Sequence, residues 1–106
     1  MPEDPVVAYA KANESRNLQQ LFDLLRIPSV SAQPDKHQKD VERCAQFVAD
    51  SLRDAGMENV KLVPTPGNPI VYADWLHAPD APTVLVYGHY DVQPAEPFDL
   101  WTSPPF

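Results

Sequence analysis

His89 and Asp91, separated only by Tyr90, are the side chains whose types and spacing could do chemistry. A neutral imidazole is a common donor to zinc and similar ions. A carboxylate nearby in the chain can hold the other ring nitrogen and so fix the tautomer. One imidazole does not complete a site: zinc in proteins takes three or four protein ligands, so His89 needs partners from elsewhere. On spacing alone the pair reads first as a His and an Asp that cap the strand end in water, because a His-x-Asp pair is common.

The element that must present them is Thr83-Val84-Leu85-Val86-Tyr87. A run of β-branched and aliphatic residues without polar alternation predicts a strand buried on both faces, as in a parallel or mixed α/β sheet. Gly88 ends it by letting the backbone turn without a Cβ penalty. His89 and Asp91 then stand at the carboxyl end of the strand, where open α/β sheets hold their ligands.

The other reactive side chains read as structural. Ser29 and Ser31 lie in the loop Ile27-Pro28-Ser29-Val30-Ser31-Ala32 with no nucleophile-elbow pattern, and are expected to act as loop and capping hydroxyls. Cys44 falls on the apolar face of a helix as a small buried hydrophobe. His37, between Lys36 and Lys39, reads as a solvated helix start, and His77 as an exposed loop residue. Asp74 is expected at an exposed strand edge, and Trp75 is expected to be covered.

From the amino end, Asp4 is a helix cap with Pro5 at the first helical position. One helix is predicted from there until Pro28 ends it, with the polar stretch Asn13 to Asn17 facing solvent. A second helix opens at Asp35, with Gln38 completing a capping-box variant, and Val41, Cys44, Ala45, Val48, Leu52 and Ala55 as its apolar face. Gly56 is its stop. Val60 to Val63 and Ile70 to Leu76 predict two strands that the short connection makes antiparallel. After Asp91, repeated proline predicts irregular structure, although Phe98, Leu100, Trp101 and Phe106 call for a surface to pack on. The fold class is α/β: two helices, three strands of a mixed sheet and an extended tail.

Length and charge narrow the class further. At 106 residues the chain has room for one small domain. With 15 Asp and Glu against 8 Lys and Arg, binding to a phosphate backbone is not expected, so nucleic acid is excluded as a partner. No apolar run approaches the ~20 residues of a membrane span, and the opening Met1-Pro2-Glu3-Asp4-Pro5 lacks the basic start of a secretory signal. No membrane partner and a cytoplasmic location are the expectation, with which a single cysteine agrees.

The string Val84-Leu85-Val86-Tyr87-Gly88-His89-Tyr90-Asp91-Val92-Gln93-Pro94, followed by Trp101-Thr102-Ser103-Pro104-Pro105-Phe106, resembles the first metal motif of the dinuclear-zinc metallopeptidases. That family includes the carnosinase-like dipeptidases, the acetylornithine and succinyl-diaminopimelate deacylases, the aminoacylases and the glutamate carboxypeptidases. Gly-His-Tyr-Asp-Val-Gln-Pro is most similar to the dipeptidase branch, and the segment Ile27 to Ala32 resembles the one after the family's first helix.

The resemblance implies that residues 1–106 are the incomplete amino-terminal portion of a metallopeptidase catalytic domain. It implies His89 as a ligand to one of two zinc ions, cobalt or manganese being alternatives, and Asp91 as a catalytic carboxylate behind the metal. It further implies hydrolysis of a peptide or N-acyl amino acid substrate, in a family whose complete members are often homodimers. The family's bridging Asp, its adjacent Glu pair and its remaining ligands have no counterpart here: there is no Glu-Glu pair, and glycine occurs only at 56, 67 and 88. The chain alone is therefore expected to be inactive. The alternatives are a non-enzymatic α/β interaction module and a half-enzyme completed by a second chain.

Overall fold

The computed structural model describes residues Met1–Phe106. Its elements run α1 (Pro5–Ala12), α2 (Glu14–Leu25), α3 (Pro34–Asp54), β1 (Glu58–Val63), β2 (Ile70–Asp74) and a single 3-10 turn at Phe98–Leu100. The α/β class holds, with three helices and two strands in place of two helices and three strands.

α1 starts as its sequence requires: Pro5 occupies the first turn, and Asp4 Oδ1 accepts from the Val6 amide at 2.8 Å. The single long helix expected up to Pro28 is broken at Asn13, whose backbone leaves the α region at φ −108°, ψ 13°. The Asn13 side chain donates to the Tyr9 carbonyl at 2.9 Å, a local bond that competes with continuing the helix. Leu18, Leu21, Phe22 and Leu25 of α2 remain 42–48% exposed, so its apolar stripe is only half covered.

α3 is the organising helix. It begins at Pro34 with Gln33 at the cap position and no side-chain capping bond. Gln38 does not form the expected capping box; it bonds to Glu42 and to Asn68. Val41, Cys44, Ala45 and Ala49 are buried, whereas Ala55 is exposed. The helix stops at Gly56, φ +88°, with Gly56 N donating to Arg53 O and Met57 N to Leu52 O, the paired bonds of a Schellman motif.

β1 and β2 pair antiparallel, with Lys61 opposite Tyr72, Leu62 opposite Val71 and Val63 opposite Ile70. The register shifts between Glu58 and Lys61, where Asn59 adopts φ +52°. α3 packs on this hairpin, and the small core comprises Ile27, Ser29, Val30 and the buried face of α3.

Three expectations need correction. Thr83–Tyr87 is extended but forms no strand, and no backbone hydrogen bond is made by residues 83–88. Val84, Leu85, Val86 and Tyr87 are 82–90% exposed. A strand requires a hydrogen-bonded neighbour, and β1 and β2 pair only with each other. Trp75 is 53% exposed because β2 ends one residue earlier. The tail aromatics also stay open: Phe98 and Trp101 are more than half exposed, with Trp101 Nε1 donating to Ala95 O at 2.8 Å. No helix is long and apolar enough to cross a membrane.

Candidate functional site

His89, Tyr90, Asp91 and Val92 are gripped from three directions. From the loop after α2, Ser29 Oγ donates to the Tyr90 carbonyl at 2.9 Å, and the Val92 amide donates back to the Ser29 carbonyl at 3.0 Å. Ser31 Oγ donates to Asp91 Oδ2 at 2.5 Å. From α3, the Cys44 thiol reaches the same Tyr90 carbonyl at 3.3 Å. From the hairpin turn, the Pro69 carbonyl accepts from the Tyr90 hydroxyl at 2.6 Å. Residues far apart in sequence thus fix one short segment, although the run leading into it is unpaired.

Within that segment His89 and Asp91 meet directly, His89 Nδ1 lying 2.8 Å from Asp91 Oδ1 and 3.1 Å from the Asp91 carbonyl. Both partners are oxygens that only accept when the carboxyl is ionised, so Nδ1 carries the proton and Nε2 the lone pair. Nε2 has no hydrogen-bond partner, and the side chain is 75% exposed. The Ser31 hydroxyl and then the His89 imidazole hold the Asp91 carboxyl below the usual carboxylate range. The arrangement can therefore supply one oriented nitrogen donor, backed by an anion that stays ionised.

Burial pushes the Cys44 thiol up, which leaves it a hydrogen-bond donor rather than a nucleophile. Burial likewise raises the Tyr90 hydroxyl. The other two histidines are paired with carboxylates elsewhere. His37 Nδ1 lies 2.9 Å from Asp40, which also binds Arg43. His37 is mostly covered rather than solvated, its side chain being 23% exposed. His77 pairs with Glu58 and is exposed, as expected.

No three His, Cys, Asp or Glu side chains converge as a metal-holding group. His89 fits a zinc ion as one donor and the chain offers no second, so the residues present fit part of such a centre.

Sequence reasoning missed the positioning roles of Ser29, Ser31, Cys44 and Pro69. The loop after α2 turns tightly, the Ser29 amide donating to the Ile27 carbonyl and the Val30 amide to the Pro28 carbonyl, each at 2.8 Å, and nothing local in its sequence said that the two hydroxyls would face residues 90 and 91.

No family model matches the sequence. Individual proteins do. The chain is 34% identical to the Cys-Gly metallodipeptidase DUG1 of Saccharomyces cerevisiae over 98 residues, 81% of this chain and 20% of that protein. It is 32% identical to the Beta-Ala-His dipeptidase of Rattus norvegicus over 111 residues, 92% of this chain and 22% of that protein. It is 30% identical to the succinyl-diaminopimelate desuccinylase of Delftia acidovorans over 96 residues, 87% of this chain and 23% of that protein. The solved structure of the dipeptidase Dug1p from Saccharomyces cerevisiae superposes with a TM-score of 0.79 at 30% identity, covering 90% of this chain and 22% of that one. Over four fifths or more of its length the chain is thus similar to part of these dipeptidases and of the desuccinylase. It spans about a fifth of the length of the curated relatives it matches.

Proposed function

We propose that this chain is the amino-terminal part of a zinc-dependent dipeptidase-type hydrolase, in which His89 is a metal ligand and Asp91 the carboxylate that orients it. The observation that carries this reading is the His89–Asp91 pair. The carboxylate holds Nδ1–H, and Nε2 is left bare and exposed in a chain homologous to metallodipeptidases. A bound zinc would lower the pKa of a water and polarise the scissile carbonyl of a peptide or N-acyl amino acid substrate. His89 would supply one nitrogen, Asp91 would keep its ring from turning, and the Ser29, Ser31 and Tyr90 bonds would hold both in place.

The general base and the other ligands belong to polypeptide this chain does not contain. The 106-residue chain alone is thus read as inactive, with only weak zinc affinity. The number of ions, the choice of zinc over cobalt or manganese, homodimerisation and the cytoplasmic location remain parts of the same proposal.

The exposed apolar run Val84–Tyr87 favours one companion reading, a half-enzyme whose sheet and metal centre are completed by a further polypeptide. Its side chains lack the alternation of a one-sided strand, so they call for cover on both faces.

Calorimetric titration of the chain with zinc, alongside an assay of dipeptide hydrolysis, tests the inactive-fragment reading. Weak binding reduced by His89→Ala and no turnover are expected. Tight binding of two ions, or hydrolysis by the isolated chain, would contradict it.

A further inference from the structure

Ser31 is joined to Asp91 across 60 residues of sequence, and that bond has a consequence for His89. Each oxygen of the Asp91 carboxylate has one side-chain partner: Oδ2 accepts from Ser31 at 2.5 Å and Oδ1 from His89 Nδ1 at 2.8 Å. The terminal torsion of an aspartate is broad and roughly two-fold, so a carboxylate held at one oxygen keeps much of its rotational freedom. Held at both, its plane is set. Ser31 can act as the fixed end because its loop is tied down separately, by the Ser29 contacts to Tyr90 and Val92.

We propose that Ser31 is a positioning residue: its hydroxyl sets the plane of the Asp91 carboxylate, and that plane keeps the His89 proton on Nδ1 and the lone pair on the outward Nε2. The value of this to a metal rests on the function proposed above, but the relay is a property of the metal-free chain and is measured there. A serine that merely pinned the loop would act on stability and leave the imidazole unchanged.

Long-range proton–nitrogen correlation spectra of the metal-free chain, at a pH above the ordinary imidazole range, report the tautomer of each histidine ring. The wild-type His89 ring is expected mainly as the Nδ1–H form. Ser31→Ala should move its tautomer ratio about tenfold toward Nε2–H, the lower end of the effect expected when a hydrogen bond to a charged group is lost. Ser31→Thr, which keeps the hydroxyl, should restore the ratio. Ser51→Ala removes a serine hydroxyl bond within α3, to the Phe47 carbonyl and away from both the loop and the carboxylate, and should leave the ratio in place.

A Ser31→Ala ratio equal to wild type overturns the proposal. So does a Ser31→Thr ratio that follows the alanine variant, or a wild-type ring mainly in the Nε2–H form. The dipeptidase reading fails on a different observable, metal-dependent hydrolysis that survives loss of His89, and that failure would leave the tautomer result standing.

Discussion

Ser29 and Tyr90 are joined by a bond from the Ser29 hydroxyl to the Tyr90 carbonyl at 2.9 Å, across 61 residues of sequence. Ser29 is only 1% exposed. Ser29→Ala leaves that carbonyl with the weaker Cys44 thiol as its remaining partner. The expected cost is about 1–3 kcal/mol, that of a buried acceptor left poorly satisfied. Urea unfolding should show a lower midpoint at an unchanged slope, and an unaltered midpoint would mean the bond contributes little.

Cys44 is completely buried, and burial raises its thiol pKa. A small thiol reagent should therefore label the native chain far more slowly than the urea-unfolded chain at the same pH. Equal rates would show that α3 opens readily from the loop after α2.

Asp74 accepts from Asn59 Nδ2 and from the Tyr72 hydroxyl, each at 2.9 Å, and these bonds hold its carboxyl below the ordinary value. A depressed folded-state pKa gives stability that is present above the unfolded value near 3.9 and is lost as pH falls through the lower folded value. Asn59→Ala should raise the Asp74 titration midpoint toward the ordinary value, as read from the carboxyl carbon shift. An unchanged midpoint would remove Asn59 as the main cause.

Val86 is 87% exposed within an unpaired apolar segment, the kind of run that templates edge-to-edge association. Val86→Lys should leave the melting temperature of the isolated chain unchanged, because the side chain touches little. It should also reduce self-association in sedimentation experiments. A lowered melting temperature would show that the segment packs in solution.

The parts of the fold legible in the sequence were those set by neighbours in sequence. Asp4 and Pro5 opened α1, Gly56 closed α3, and the short turn between β1 and β2 made them antiparallel. The break at Asn13 escaped because a polar stretch also fits an exposed helix face, and only the Asn13 bond to Tyr9 decides between the two. Thr83–Tyr87 was read by its composition, which records that its side chains suit burial on both faces. Pairing depends on strands that the two-stranded sheet of this chain does not provide.

His89 and Asp91 were legible as a pair because their contact is local. Ser31 was not legible as the third member, since its partner lies 60 residues away. Cys44 was placed correctly on the buried face, and its reach to the Tyr90 carbonyl became visible only with the loop in place.

The most direct test of His89 as a metal ligand is to replace the matching segment of the Saccharomyces cerevisiae Cys-Gly metallodipeptidase with this chain and assay metal-dependent hydrolysis of Cys-Gly. The folded chimera should be active. Asp91→Asn should lower that activity about 10–100-fold, the usual penalty for disturbing a residue that orients a metal ligand, and His89→Ala should lower it further. A folded His89→Ala chimera as active as its parent would contradict the account.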